Sequence, residues 1–341
     1  MSHLYVMRSD VKLGYSQGQL VIKDGDSSER KIPFNSVDSI SVFGNAQLST
    51  QLVRECLSSG ATIGYFTDSG HYFGRLSSFE QANPFRQKRQ VFLTENHQFC
   101  LCWSKIVVRA KILNSITLLE TMKELCSFSP EELSGLFHSL EFLDDAASVD
   151  EVLGFEGNAA KAYFACYGRL FANSQFDFPG RSSRPPKDPI NALLSYGYSF
   201  LHRNMIGAVD RHGLHPYFGF LHKPKSGHAA LVSDLLEDYR AYMVDRLVVK
   251  MVASGDISPS DFTRSPDAGG GVYMSRSLMR MYTDVLTAAM SDRAPFCLAY
   301  GDRYRYAFQA ALDKKIISVI DALESSDASK YQPFVWGEPH D

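Results

Sequence analysis

The pattern of apolar residues changes once along this chain, at a polar segment around residues 79–90, and this change decides the architecture. Before it, apolar and polar residues alternate in short runs such as LYVMR, QLVIKD and SISVFG, which is the period of half-buried strands. After it, apolar residues recur every three or four positions, which is the period of amphipathic helices. We therefore predict an α+β chain of two domains, in which a small N-terminal β-strand domain is followed by a larger all-α domain.

The boundaries of the two domains follow from the same pattern. Residues 1–78 form the β domain, which one short helix over 49–58 interrupts before Gly60 stops it. Residues 79–90 are polar and contain Pro84, so they are predicted to be a linker. Residues 91–341 form the helical domain. A chain of 341 residues is long for one domain, which favours the same division.

Composition limits where this protein works and what it binds. The formal net charge is −3, so any nucleic-acid partner must be held by local basic clusters rather than by a global positive field. The sequence has no run of about eighteen apolar residues and no apolar N-terminal core, so we expect no membrane span and no secretory signal. The six cysteines are scattered without a C-x-x-C spacing. Together these features predict a cytoplasmic protein with reduced thiols.

The stretch 217–242, YFGFLHKPKSGHAALVSDLLEDYRAY, carries the densest group of candidate metal ligands. His222 closes an apolar run, and Asp234 and Glu237 follow on one face of a predicted helix, three residues apart. Oxygen ligands with one imidazole suit Mn²⁺ or Mg²⁺ better than Zn²⁺. The residues leave the ordinary alternatives open, since a histidine here is commonly a hydrogen-bonded core residue and two such acids commonly form a wet helix face.

Glu156 is a further candidate because it lies on an apolar helical stripe with Ala159, Ala160 and Tyr163. An acid in such a place costs free energy unless it is paired or bound to a cation. The alternative is an acid near the start of a helix that interacts favourably with the helix dipole. The sequence alone leaves these two interpretations even.

Other chemistries are poorly supported. Four histidines in a short span raise the alternative of zinc, but neither a cysteine nor an H-E-x-x-H motif accompanies them; they are His212, His215, His222 and His228. The sequence has no phosphate-binding G-x-x-x-x-G-K-[ST] loop, no G-x-G-x-x-G after a strand and no G-x-S-x-G elbow. Nucleotide-driven and serine-hydrolase reactions are therefore disfavoured.

Three long motifs in order resemble those of a known family. They are EGNAAKAYF, RSSRPPKDPINALLSYGYSFL and GLHPYFGFLHKPKSGHAALVSDLLEDYR, and they are similar to the motifs of the CRISPR-associated adaptation integrase, in its type I-C branch. The resemblance implies a metal site of Glu156, His222 and Glu237, supported by Asp234. It also implies a β domain used for dimerisation and a helical domain that is catalytic. One departure is His215, where the family usually has Asp.

The function that the resemblance implies is a Mn²⁺- or Mg²⁺-dependent DNA endonuclease and integrase. It would insert new spacer DNA into a CRISPR array when the 3′-hydroxyl of the incoming fragment attacks a phosphodiester of the repeat. The implied partners are double-stranded DNA, a second copy of the chain in a homodimer, and a small second adaptation protein. We predict phosphate contacts from basic clusters in two loops, namely Arg181, Arg184, Lys187, Lys223 and Lys225. The alternative is a non-catalytic DNA-binding scaffold of the adaptation complex.

Overall fold

The structure, a computed structural model, describes residues 2–8, 10–25, 28–67, 72–76, 78, 83–182, 185–265, 270–291 and 308–336. The chain forms two compact units. One unit comprises Met1–Asn83 with Asp210–Gly213, and the other comprises Pro84–Val209 with Leu214–Asp341.

The N-terminal unit is built from two four-stranded sheets, as the alternating pattern of its sequence predicts. The first sheet has the order β1-β5-β7-β8 and the second the order β4-β3-β2-β6. The strands are β1 (Ser2–Val6), β2 (Val11–Ser16), β3 (Gln19–Asp24), β4 (Ser28–Pro33), β5 (Val37–Phe43), β6 (Gln47–Leu48), β7 (Thr62–Phe66) and β8 (Tyr72–Leu76).

The core of this unit lies where helix α1 (Thr50–Ser59) covers the strands. The hydroxyl of Ser49 accepts the main-chain N–H of Leu52 at 3.2 Å and begins the helix. Gly60 ends it in the left-handed conformation, at φ 78°. Fully or almost fully buried apolar side chains from strands and helix fill the interior, among them Leu13, Leu20, Ile40, Leu52 and Ile63.

The C-terminal unit is helical, which confirms the predicted fold class, except for one antiparallel hairpin that the sequence analysis missed. Its helices are α2 (Pro84–Leu93), α3 (His97–Thr121), α4 (Pro130–Phe142), α5 (Val149–Arg169), α6 (Pro189–Arg211), α7 (Ala230–Leu236), α8 (Arg246–Ala253), α9 (Arg276–Ser291) and α10 (Phe308–Ser325). The hairpin pairs β9 (Phe262–Ser265) with β10 (Gly271–Met274). No helix in the described ranges is both long enough and apolar enough to cross a membrane.

The segment predicted as a linker differs in its second half, because residues 84–90 belong to α2. Gln90 is fully buried in that helix. Its side-chain amide donates to the carbonyls of His215 at 2.8 Å and Phe218 at 2.7 Å, and it accepts the N–H of His215 at 2.9 Å. These three hydrogen bonds fix the turn before His222. They also hold His215, the departure from the family pattern, by its main chain.

The segment that carries Asp234 and Glu237 is buried and irregular. It differs from the amphipathic helix that the periodicity predicts. Every residue from 230 to 239 is buried, as in helices that cross the interior of a large domain. After α7 the chain tightens into a 3₁₀ turn at Glu237–Tyr239 and then widens into a π-helical turn at Ala241–Asp245. Widened turns of this kind commonly occur at functional sites.

Buried partners distant in sequence hold Asp238 inside this irregular segment. The Asp238 carboxylate pairs with Lys315 of α10, and both side chains are 1% exposed or less. The same carboxylate accepts the N–H of Phe334 at 2.8 Å, and the side-chain amide of Asn114 donates to the Asp238 carbonyl at 2.6 Å. The residue directly after Glu237 is therefore fixed from α3, from α10 and from the C-terminal segment.

Candidate metal centre

Glu156 and Glu237 meet at a lysine that the sequence analysis did not single out. Lys111 of α3 forms an ion pair with Glu156 Oε1 of α5, and its Nζ lies 2.7 Å from Glu237 Oε2. The side chains are 18%, 23% and 4% exposed for Lys111, Glu156 and Glu237, respectively. The interpretation of Glu237 as part of a wet helix face is therefore wrong, and Glu156 is paired with a cation.

Lys111 and Glu237 each stabilise the charged form of the other inside the protein. Burial alone would raise the pKa of Glu237, but the charges of Arg240, Lys111 and His222 lower it to about 2. Burial alone would lower the pKa of Lys111, but Glu237 and Glu156 raise it above its ordinary value. Glu237 and Lys111 are therefore both ionised at neutral pH.

Arg240 is the second cation at Glu237. Its guanidinium lies 3.0 Å from Glu237 Oε1, one turn along the chain. The same guanidinium lies 4.9 Å from the centre of the Tyr198 ring, within the range of a cation–π contact. Glu237 thus has one cation at each carboxylate oxygen, and Arg240 is held in place by an aromatic ring.

Asp234 is fully buried and holds the segment that carries His222. Its Oδ2 accepts the main-chain N–H groups of Phe220 at 2.7 Å and Leu221 at 2.9 Å. Its Oδ1 accepts the N–H of His222 at 3.0 Å and lies 2.8 Å from His222 Nδ1. A carboxylate here places the ring proton on Nδ1, which leaves Nε2 as the nitrogen available to a metal ion.

Gly219 permits this close approach. A Cβ at that position would lie 2.7 Å from the main-chain carbon of Ala230 and 2.8 Å from Asp234 Oδ2. Any side chain would therefore push the His222 segment away from α7. Burial alone would lower the pKa of His222, but the hydrogen bond and the charge of Asp234 raise it above its ordinary value.

The four predicted site residues thus fall into two pairs, Glu156 with Glu237 and His222 with Asp234. His222 is near enough to Glu237 for each to shift the pKa of the other. Within the part of the chain that the structure describes, no three His, Cys, Asp or Glu side chains are already close enough to hold a metal ion. This holds equally for the four histidines considered for zinc.

A small cavity lies between the two carboxylates and a buried acid that the sequence analysis also missed. Its volume is about 30 Å³, enough for a water molecule or a single ion but not for a base or sugar. Lys111, Glu156, Glu237 and Arg240 line it together with Asp245. Burial raises the pKa of Asp245 to about 6, although the hydroxyls of Tyr163 and Tyr198 each donate to its carboxylate at 2.7 Å.

A signal for Lys111 does exist in the sequence. It lies within an apolar helix, on the stripe formed by Val107, Val108 and Ser115, which the structure shows to be buried. A lysine on such a stripe requires a carboxylate partner. The partners themselves lie 45 and 126 positions further along the chain, beyond the reach of any local pattern.

The predicted DNA contacts have different environments. Lys187, Lys223 and Lys225 are exposed, and Lys223 lies 3.2 Å from the exposed Asp150. Arg184 lies outside the described residues. Arg181 is half-buried, and its guanidinium donates to Asn191 Oδ1 at 2.8 Å and lies 5.2 Å from the centre of the Tyr198 ring. Arg181 is therefore engaged within the protein.

Comparison with known proteins identifies the family. The family model for "CRISPR associated protein Cas1" matches residues 4–287. The chain belongs to the Cas1 family. It is 36% identical over 332 residues to a CRISPR-associated endonuclease Cas1 from Mycobacterium tuberculosis, an alignment that covers 97% of this chain and 96% of that protein.

Solved structures show the Cas1 fold for the chain. A casposase bound to integration product superimposes with a TM-score of 0.82 at 21% identity, covering all of this chain and 94% of that one. A Cas6–RT–Cas1–Cas2 complex superimposes with a TM-score of 0.80 at 22% identity, covering all of this chain and 36% of a longer one. The expected family is thus confirmed, while the type I-C branch stays a prediction.

Proposed function

We propose that this Cas1 family member is a metal-dependent DNA endonuclease and integrase that inserts new spacer DNA into a CRISPR array. The supporting relative is named an endonuclease, and a structural neighbour is a casposase bound to its integration product. The observation that carries the proposal is the convergence of two carboxylates, Glu156 and Glu237, on one cation. Beside them, His222 is oriented by the buried Asp234.

The residues present fit a hard divalent cation. Glu237 Oε2 is buried, and its partner is a cation, the ammonium group of Lys111 at 2.7 Å. A buried, ionised carboxylate needs such a partner, and a divalent ion can also supply it. Glu156, Glu237 and His222 would hold Mn²⁺ or Mg²⁺, with oxygen ligands in the majority. When bound, the ion would offset charge on the phosphate oxygens and orient the attacking hydroxyl.

The protein's own groups prepare this reaction. Asp234 fixes the His222 ring and its tautomer, so that Nε2 is presented in one orientation. Arg240 keeps Glu237 ionised in a buried place. The cavity is too small for a base or sugar, so the groups that react must meet at its rim. There the 3′-hydroxyl of the incoming DNA would form a bond to phosphorus while the repeat strand leaves with its own 3′-oxygen.

We further propose that DNA and a Cas2-type protein are the partners. The Cas6–RT–Cas1–Cas2 complex and the DNA-bound casposase share the fold of this chain. The exposed lysines Lys187, Lys223 and Lys225 would contact phosphates without reading sequence. A homodimer remains part of the proposal.

A strand-transfer assay tests the proposal. Purified wild-type protein and Glu237→Ala are incubated with Mn²⁺, double-stranded spacer DNA with free 3′ ends and a repeat-containing target. We expect covalent insertion by the wild type and at least about a hundredfold less by the variant. An equally folded variant that retains full insertion would instead support the scaffold alternative, in which Glu237 has no catalytic role.

A further inference from the structure

The ammonium group of Lys111 lies between two carboxylates that belong to separate elements of the fold. Its Nζ contacts Glu156 of α5 and Glu237 of the 3₁₀ turn after α7. The same two carboxylates are ligands in the proposed metal site. The ammonium group therefore holds together the two halves of the ligand set.

The charges at this site nearly balance in the structure. Glu156, Glu237 and Asp245 are carboxylates, and Lys111 and Arg240 supply two positive charges. All five groups line a cavity of about 30 Å³. A divalent ion entering this cavity would add surplus positive charge in a region of low dielectric constant, where like charges repel strongly. Because Lys111 Nζ already lies between Glu156 and Glu237, an ion can reach both carboxylates only if a resident cation gives way.

Of the two cations, Lys111 is the one able to leave. Arg240 is held against the Tyr198 ring and bound to Glu237 within a single turn of the chain. Lys111 has a flexible four-carbon side chain with a point charge at its end. Its ammonium contacts both carboxylates, so its departure would free an oxygen of each.

We propose that Lys111 is an internal competitor of the divalent cation, which occupies the ion's place in the metal-free protein and moves away when the ion binds. This inference rests on the proposed metal site. The observed metal affinity is then the intrinsic affinity of the ligands reduced by the cost of displacing the lysine.

Mn²⁺ binding to the DNA-free protein tests the competition without any measurement of activity. Free Mn²⁺ is measured by electron paramagnetic resonance during titration at one fixed pH. We expect Lys111→Met to bind Mn²⁺ at least about tenfold more tightly than wild type, equivalent to about 1.4 kcal/mol. We expect Lys111→Arg, which keeps a cation there, to stay within about threefold of wild type.

Lys161→Met is the matched control, because Lys161 is an exposed lysine of α5, the helix that carries Glu156. It should bind Mn²⁺ like wild type. Equal or weaker binding by Lys111→Met, in a protein whose Mn²⁺ binding is lost in Glu237→Gln, would overturn the competition while leaving the metal site in place. Wild-type binding that is unchanged by Glu237→Gln would overturn both.

Stability measurements keep the test decisive if removal of the lysine weakens the fold. Lys111→Met should lower the melting temperature in EDTA, because it leaves two buried carboxylates facing each other. Saturating Mn²⁺ should raise its melting temperature by more than it raises that of wild type. Lys111→Gln is a second variant, neutral but able to donate hydrogen bonds to both carboxylates. Mn²⁺ should also raise its melting temperature by more than that of wild type. A smaller Mn²⁺-induced rise in both variants than in wild type would contradict the proposal.

Discussion

Asp234 binds His222 twice, through the main-chain N–H at 3.0 Å and the ring Nδ1 at 2.8 Å, and does so from a fully buried position. The remaining oxygen of Asp234 accepts two more main-chain N–H groups, from Phe220 and Leu221. Four such contacts use the hydrogen-bonding capacity of a carboxylate. This arrangement fits a positioning role for Asp234 beside Glu237, the proposed ligand.

Asparagine at position 234 should therefore impair the site without abolishing it. Its amide would present a donor to His222 and shift the ring proton to Nε2, the nitrogen that the proposed metal ion would need. Loss of such an orienting partner typically costs about 10–100-fold in metal affinity or activity. We expect Asp234→Asn to recover part of its strand transfer at raised Mn²⁺, whereas Glu237→Gln should not. If both variants respond alike to a Mn²⁺ titration, Asp234 is itself a ligand.

Alanine at Gly219 should separate the His222 segment from α7. The added Cβ would lie within 3 Å of two main-chain atoms of Ala230 and of Asp234 Oδ2. Overpacking of this kind costs about 1–3 kcal/mol in the free energy of unfolding, which urea denaturation measures. The matched control is Gly157→Ala, directly after Glu156, where an added Cβ meets nothing within 4 Å. This substitution should stabilise α5 by up to about 1 kcal/mol. Equal stability of the two variants would contradict this account.

The basic residues of the loop from Arg181 to Lys187 should differ in role. We expect Arg181 to support the fold and Lys187 to contact DNA. From the sequence, neutralising Arg181, Arg184 and Lys187 should reduce the slope of log affinity against log salt by roughly two to three, at about 0.9 per phosphate contact. The bonds of Arg181 to Asn191 and its contact with Tyr198 change the expectation for that residue. Arg181→Ala should lower the melting temperature and leave the slope unchanged, while Lys187→Ala should lower the slope by about 0.9. Fluorescence anisotropy at several salt concentrations checks both, and a slope reduced by Arg181→Ala would restore it as a phosphate contact.

Asp245 should make stability fall as pH rises through the weakly acidic range. Its pKa is about 6 in the folded protein and about 3.9 when unfolded, so between these values the folded state binds more protons. Stability is then lost as pH rises from about 4 to 6, by about 3 kcal/mol for a difference of about two pKa units. Asp245→Asn lacks this dependence and can still accept a hydrogen bond from Tyr163 or Tyr198.

The comparison of the two proteins by urea denaturation removes the contribution of other titrating groups. The stability of wild type relative to Asp245→Asn should decrease by about 3 kcal/mol between pH 4 and 7. Parallel stability curves for the two proteins over that range would show that Asp245 does not titrate there.

The fold class and the four candidate residues, three acids and one histidine, could be predicted from the sequence. Periodicity is a local property, so the change from alternating strands to helices could be read around residues 79–90 without any knowledge of packing. Long motifs likewise placed Glu156, His222 and Glu237 in one family-like set. The same local reasoning missed the helix over residues 84–90 and the 3₁₀ turn at Glu237, because buried contacts outweigh local preference. Gln90 is bonded to the turn before His222, and Asp238 is held by Lys315 and Phe334.

The charge states and pairing of the candidate residues depend on packing between distant parts of the chain. Lys111, Glu156 and Glu237 come from α3, α5 and the turn after α7, and their ion pairs depend on three elements packing together. Neighbouring positive charges lower the pKa of Glu237, and burial raises the pKa of Asp245. Burial and distance between residues far apart in the chain are not encoded in any local pattern. For that reason the candidate residues could be named from the sequence, but Lys111, which lies between Glu156 and Glu237, could not.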